Sequence, residues 1–192
     1  MTDIGLLHPI VNTAQGLVRE SRKRKDVFDH QSVPTGSEDT YLANGWEFEK
    51  QLKTKVKLRK QKKIDEIHEN RCWLLLHLLD YQELNEGRKF SIEIKRKGAE
   101  NIRKQIDIFA KDDETIIIGE CKASNKLTKR SLQKDIEEFA NLKGPISKSI
   151  KKQYGNTYKP KIIWVFFTHN IIWSRPDAVD FPQFHRHSKV TI

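Results

Sequence analysis

Residues 104–124 read KQIDIFAKDDETIIIGECKAS, and this pattern decides the class of fold. Two apolar runs, KQIDIFA and ETIIIGECKA, flank the acidic turn Lys111, Asp112, Asp113, Glu114, which is short enough to close a hairpin. Both runs are apolar on both faces, so both strands are expected in the middle of a sheet. Residues two apart on a strand share a face, so Glu120 and Lys122 project together while Gly119, Cys121 and Ala123 face the other way. A hairpin that pairs Ala110 with Thr115 sets Asp107 across from Ile118, and one face then carries Asp107, Glu120 and Lys122. Diagonal neighbours of this kind lie roughly 7–8 Å apart, a span that two carboxylates bridge by sharing one hard cation.

Two carboxylates and an ammonium among Ile106, Ile108, Ile116, Ile117 and Ile118 are costly to bury unpaired. Phosphodiester hydrolysis requires a divalent ion that polarises the phosphate and acidifies a water, with a positive group beside the developing charge. Asp107, Glu120 and Lys122 supply those parts. The plainer reading makes Glu120 and Lys122 the solvated end of a strand and puts Asp107 in a structural ion pair; spacing alone leaves both readings open.

Outward from this hairpin, residues 64–81 repeat Ile67, Leu74, Leu75, Leu78 and Leu79 at three- and four-residue steps, which predicts an amphipathic helix. Asn85, Glu86 and Gly87 form a turn. RKFSIEIKRKG (88–98) alternates Phe90, Ile92, Ile94 against Ser91, Glu93, Lys95, a half-buried strand that opens a meander. After Asn125 a second helix is predicted from Lys129 to Leu142, with Leu132, Ile136 and Phe139 on one face and a stop before Gly144 and Pro145. KIIWVFFTHNII (161–172) is a fourth, strongly apolar strand, in which Trp164, Phe166 and Phe167, with the nearby Trp173, are core candidates. Helix, three strands, helix, strand outlines an α/β sandwich.

Residues 1–44 read as an arm and linker: a short helix over 6–20, the basic run Arg22–Lys25, then SVPTGSEDT (32–40). The basic run either contacts phosphates or is solvated. The following GWEFEKQLKTKVKLRKQKK (45–63) holds eight cations in its last fourteen residues, among them Lys55, Lys57 and Arg59. Alternation in KTKVKL favours a strand and the spacing of Trp46, Leu52 and Val56 a helix, so the element type stays open. Such a face either neutralises phosphates, with affinity falling steeply in salt, or only keeps the chain soluble.

The 192 residues carry 36 Lys and Arg against 26 Asp and Glu, a net charge of +10 that attracts polyanions. No apolar run spans a bilayer and no leader pattern opens the chain, so a soluble, cytoplasmic protein is expected. Cys72 and Cys121 are the two cysteines; neither lies in a CxxC pair, and both are expected as buried thiols. His185 and His187 lack accompanying ligands and read as part of a basic tail. The closing HSKVTI resembles the start of another strand, so the chain is read as a fragment or truncation.

QIDIFAKDDETIIIGECKAS resembles the hairpin of the PD-(D/E)XK, or restriction-endonuclease-like, nuclease superfamily: an Asp on one strand, then (D/E)-x-K, here Glu120-Cys121-Lys122, on the next. The likeness covers roughly residues 64–170 of a domain read as 45–192. It implies a mixed central sheet flanked by helices, Mg2+ or Mn2+ held by Asp107 and Glu120, and Lys122 positioning the nucleophilic water. Many members add a Glu from the first helix, for which Glu69 fits best and Glu66 second. The Pro of the signature is replaced by Ile106. Lys126, Lys129, Arg130 and Lys134, close in sequence to Lys122, form a natural set of phosphate contacts, with Lys55, Lys57 and Arg59 as further candidates. Several branches of the superfamily place a Gln on the second helix, so Gln133 is either a water or base contact or a plain solvated side chain, and Thr168 and Asn170 either reach the cleft or end the strand. Ser124 and Asn125 are alternative caps of that helix. Double-stranded DNA is the implied partner, and a homodimer the arrangement many members adopt. More narrowly, Gly45-Trp46, Glu69, the hairpin, ECK and THNI resemble the nuclease-like segment preceding DGQHR domains in bacterial DNA-modification and phage-defence proteins. The alternative function is a catalytically inactive nucleic-acid-binding or assembly module.

Overall fold

In the computed structural model, which describes residues 9–96 and 99–173, the isoleucine run Ile116–Ile118 begins a strand of 16 residues, β9 (Thr115–Arg130). β-Branched side chains favour this pleated, two-sided burial. β9 runs antiparallel to β8 (Ile108–Lys111) and parallel to β10 (Lys161–Trp173). β8 pairs with β5 (Glu83–Asn85) and β5 with β1 (Ile10–Val11), which completes a five-stranded mixed sheet in the order β1-β5-β8-β9-β10. Both strands of the central hairpin are therefore interior.

A parallel pair needs a crossover, and α4 (Gln133–Asn141) with α5 (Lys143–Tyr154) supplies it between β9 and β10. The second helix thus starts later than its predicted Lys129, because β9 continues to Arg130. A further helix, unforeseen, begins where Gly144 and Pro145 were read as a stop. Pro145 is tolerated there because first-turn amides have no intrahelical acceptor.

Alternation along β9 divides the core. Ile116 and Ile118 face α4 and α5, where they pack with Phe90, Ile92, Phe109, Phe139, Ile146 and Ile150. Ile117 and Cys121 face α3 (Ile64–Leu78), against Cys72, Trp73 and Leu76. The four aromatics join these layers as expected: Trp164 and Phe166 pack on the first, Phe167 on the second, and Trp173 against Phe166. The buried face of α3 differs from the leucine stripe read from sequence. Leu78 and Leu79 are 76% and 62% exposed, whereas Glu69, Asn70, Cys72, Trp73 and Leu76 turn inward. Periodicity of apolar residues missed this because two of the inward positions are polar and are held by arginines.

One of these arginines comes from the stretch read as an arm. β1 and α1 (Ala14–Lys25) belong to the central unit: β1 edges the sheet and α1 packs on α3. Within the basic run, Arg24 is buried, donating to Glu20 Oε1 at 3.0 Å, Asn70 Oδ1 at 3.2 Å and the Gly87 carbonyl at 2.8 Å. Its neighbours Arg22, Lys23 and Lys25 remain exposed.

The presumed linker and the undetermined basic segment form a second, three-stranded sheet, β2 (Phe28–Pro34), β4 (Lys55–Gln61) and β3 (Glu47–Gln51), with α2 (Asp39–Ala43) between β2 and β3. Val33, Val56 and Leu58 form its small core with Tyr41 and Trp46. The KTKVKL alternation decided the element type. A third pair, β6 (Ser91–Arg96) and β7 (Ala99–Gln105), is a hairpin separate from the central sheet. KQIDIFA is consequently two strands rather than one, broken at Ile106 and Asp107. Among the described residues no helix is long and apolar enough to cross a membrane. His185, His187 and the closing HSKVTI lie outside the described residues.

Replacing Arg24 leaves the buried Glu20 carboxylate only the Gly87 amide and the exposed Lys23 and removes the partner of Asn70 Oδ1, so Arg24→Ala is expected to lose about 3–5 kcal/mol in urea unfolding. The exposed Arg22→Ala stays within about 0.5 kcal/mol of wild type. Equal effects of the two would assign Arg24 to the solvent.

Candidate metal centre

The break between β7 and β8 sets Asp107 at the mouth of the central hairpin. Asn85, fully buried at the end of β5, spans this break: its Oδ1 accepts from the Phe109 amide at 3.0 Å, and its Nδ2 donates to the Asp107 carbonyl at 3.1 Å and the Gly87 carbonyl at 3.2 Å. The backbone of Asp107 is thereby fixed before its side chain makes any contact.

The hairpin register differs from the expectation. Ala110 pairs with Ile117, not Thr115, and the ladder ends at Ile108 and Gly119. The reason is the turn: Asp112 Oδ1 accepts from the amides of Glu114 at 2.8 Å and Thr115 at 2.6 Å, and the Asp112 amide donates to the Thr115 carbonyl at 3.1 Å. Such an Asx turn commits the Thr115 amide to Asp112 instead of β8, while Thr115 begins β9 opposite Lys161 of β10. A slip of two residues preserves the faces, and the continued register sets Asp107 opposite Glu120 rather than Ile118. Directly opposed side chains start about 4.5–5.5 Å apart, closer than the diagonal anticipated. Gly119 permits this approach, since a Cβ there would meet Ile108 Cβ at 2.9 Å and Phe167 Cε2 at 2.8 Å.

Beyond Gly119 the β8 ladder has ended, and the Cys121 amide donates instead to Asp107 Oδ2 at 2.9 Å. Glu120 Oε1 accepts from Lys122 Nζ at 2.8 Å, and Lys122 also reaches Asp135 Oδ1 on α4 at 3.0 Å. Arg130 closes on the other oxygen of Asp135 at 3.2 Å. Glu69, buried on α3, accepts both arms of Arg88 at 2.7 and 2.6 Å, while Glu66 takes the third nitrogen at 3.2 Å. Both first-helix candidates therefore meet at one guanidinium.

Electrostatics register the crowding. Burial, then the Glu120 carboxylate and more weakly Glu69, push the Asp107 carboxyl up to about 7, against the Cys121 amide and Lys122. Burial acts to lower Lys122, yet its bonds to Glu120 and Asp135 prevail and hold the ammonium above its usual range. The hydrogen bonds that Arg88 donates to Glu69 hold its guanidinium above its ordinary value. Asp107, Glu120 and Lys122 thus occupy one neighbourhood, with Glu69 at its edge. One oxygen of Asp107 and one of Glu120 lie outside the bonds named. Carboxylates that repel one another are the donor set that fits a hard divalent cation.

The cations named from sequence divide. Lys126, Lys129 and Arg130 are not on a helix: after the register shift between His169 and Ile171, β10 again pairs with β9 at Thr128–Arg130. Residues 125–130 form an exposed ribbon beyond Lys122, and Lys134 is exposed on α4. Ser124 and Asn125 accordingly do not cap a helix. Asn170, at φ 56°, sits at the shift and donates to the Ser124 carbonyl at 3.1 Å. Thr168 pairs with Lys122 in the ladder and accepts from Trp173 Nε1 at 3.2 Å. Gln133 bonds Glu137 at 3.1 Å on the exposed side of α4. On β4, Lys57 is paired to Glu49 at 2.7 Å and Arg59 to Glu47 at 3.2 Å, while Lys55 is exposed.

Sequence reading missed Arg88, Asp135 and Asn85. Asp135 carried a signal, an acid on the core-facing helix that follows ECK; Asn85 ends a strand of three residues and Arg88 sits in the turn after it, with no periodicity to mark either. No protein-family model, curated protein or solved structure matches this chain.

In the metal-free protein Asp107 ionises well above its ordinary value of 3.8. Folding therefore takes up a proton between about pH 4 and pH 7, and the associated stability, full below about pH 4, is lost as pH rises through about 7. Asp107→Asn stays neutral and still accepts the Cys121 amide. In urea unfolding with chelator present it is expected to exceed wild type by about 1–3 kcal/mol at pH 8, with no gain at pH 4. A gain independent of pH would mean that this carboxyl titrates like a solvated one.

Proposed function

We propose that this chain is a divalent-metal-dependent nuclease that hydrolyses DNA phosphodiesters on a restriction-endonuclease-like core, in bacterial restriction, DNA modification or phage defence. The observation that carries the reading is the meeting of Asp107 and Glu120 from adjoining strands with Lys122 beside them. The order of elements around that hairpin supports it: a helix before, the α4 crossover after, and a parallel strand β10 alongside. So does the sequence resemblance to PD-(D/E)XK enzymes.

In this reading Asp107 and Glu120 hold Mg2+ or Mn2+, and Glu69 adds negative charge while Arg88 fixes its position. The ion, when bound, supplies Lewis acidity toward the phosphate and toward a water. Lys122 stays cationic at neutral pH, so it acts as a hydrogen-bond donor that orients water and offsets charge on the phosphate, not as a base. Asp135 and Glu120 hold that ammonium from two sides, which limits its rotamers. The exposed ribbon over residues 125–130, with Lys134, supplies Lys126, Lys129 and Arg130 to the backbone of DNA running past the carboxylates.

One observation favours a second reading, a nucleic-acid-binding module without catalysis. Lys122 and Glu69 are each already satisfied by protein partners, as in a resting salt-bridge network.

Plasmid nicking separates the two. Wild type is expected to nick in Mg2+ or Mn2+ and to stop in chelator, and Glu120→Gln and Lys122→Ala are expected to lose about 10²–10³-fold in rate. Both variants keep DNA affinity. Absence of cutting by wild type in either ion, with binding intact, would sink the catalytic reading. On the binding side, Lys126→Ala with Lys129→Ala should reduce the slope of log affinity against log salt by about 2. An unchanged slope would move the DNA path elsewhere.

A further inference from the structure

The opposite face of the same strand presents different chemistry. His68 and Cys72 lie one turn apart on α3 and so share a side of that helix. Cys121, between Glu120 and Lys122 in sequence, points away from both and toward α3. The three ligand-capable atoms, the imidazole nitrogen and two sulfurs, all lie within 4.8 Å of one another. Cys72 Sγ is 3.9 Å from His68 Nε2 and 4.0 Å from Nδ1. Both thiols are buried, among Trp73, Leu76, Ile108 and Ile117.

We propose that His68, Cys72 and Cys121 bind a thiol-seeking transition-metal ion, Zn2+, in a site separate from the carboxylate centre across β9. Two sulfurs and one imidazole select zinc over the hard ions that carboxylates favour. Tetrahedral zinc, with metal–sulfur distances of about 2.3 Å and metal–nitrogen of about 2.0–2.1 Å, draws such ligands to within about 3.4–3.8 Å of each other. The observed cluster therefore needs to contract by about 1.4 Å or less. The Phe167 backbone lies beside the His68 ring, close enough to act on it as a hydrogen-bond partner. A metal-bound imidazole commonly anchors its other nitrogen in this way. The fourth position falls to water or to His169, whose ring centre is 5.6 Å from that of His68. Binding releases the two thiol protons to solvent and forms two metal–thiolate bonds, with no change of oxidation state. The ion would tie α3, which carries Glu69, to the strand that carries Glu120. The inference does not depend on the nuclease reading.

The test is a titration of the reduced, chelator-treated full chain with Co2+, followed by displacement with Zn2+. Wild type is expected to develop a thiolate-to-cobalt charge-transfer band at one equivalent, which Zn2+ abolishes. Cys72→Ser and Cys121→Ser should each lose about half of that band, and His68→Ala should weaken binding at least about tenfold. Glu120→Gln, on the other face, is expected to keep the band whole. Circular dichroism monitors folding, and because a serine variant can unfold, thiol titration of wild type provides a second readout: one equivalent of Zn2+ should protect both cysteines from a thiol reagent. No thiolate band in wild type, no protection by Zn2+, or loss of the band in Glu120→Gln overturns the proposal. Rapid closure of a Cys72–Cys121 disulfide that leaves no metal affinity in the reduced form overturns it as well.

Discussion

The buried carboxamide of Asn85 holds the bend on which the candidate centre stands. Where β7 gives way to β8, the ladder no longer satisfies the backbone, and unsatisfied buried amides are costly. Asn85 substitutes a side chain for the missing strand partner, accepting from Phe109 and donating to the carbonyls of Asp107 and Gly87. Its own carbonyl accepts from Trp73 Nε1 at 2.8 Å. Gly87 in turn adopts a φ of 60°, a conformation open to glycine at little cost, and its amide donates to Glu20 at 2.9 Å. The bend is therefore tied to α1 and α3 together, and the position of Asp107 is set by a network that never touches its carboxylate.

Charge is distributed around this bend in a consistent way. Three cations near it each meet more than one acceptor: Arg24 binds Glu20, Asn70 and backbone carbonyls, Arg88 binds Glu69 and Glu66, and Lys122 binds Glu120 and Asp135. Asp107 differs, since its carboxylate accepts from a backbone amide and the charges acting on it include two carboxylates. A fold organised only for stability would relieve that repulsion with a further cation. Destabilised charge of this kind is common at functional sites, and structural ion-pair networks produce it as well.

The sequence made the central hairpin, α3, β10 and the sharing of one face by Asp107, Glu120 and Lys122 legible, because all of these depend on short-range periodicity. It concealed what depends on distant partners. Only Glu20, four residues before it, marks Arg24 locally within Arg22–Lys25; its other acceptors, Asn70, Asn85 and Gly87, are distant in sequence. Leu78 and Leu79 read as core because they are leucines in a helix, yet the helix rolls to present Glu69 and Asn70 to arginines. The register slipped by two because Asp112 makes an Asx turn whose hydrogen bonds involve Thr115, a residue the apolar pattern assigned to the strand. β1, β5 and α2 are too short for periodicity to exist.

The alternation of β9 gives these observations their common logic. Because successive side chains point to opposite faces, the tripeptide Glu120-Cys121-Lys122 delivers oxygen and nitrogen to one layer and sulfur to the other without any change of backbone. The two layers are nevertheless joined through one residue: the Cys121 amide that holds Asp107 belongs to the residue whose sulfur faces His68 and Cys72. A displacement of Cys121 toward α3 would move its amide and hence the carboxylate it holds. Coupling between the faces of this strand thus requires no pathway of intermediate contacts, only the rigidity of one residue's own covalent frame.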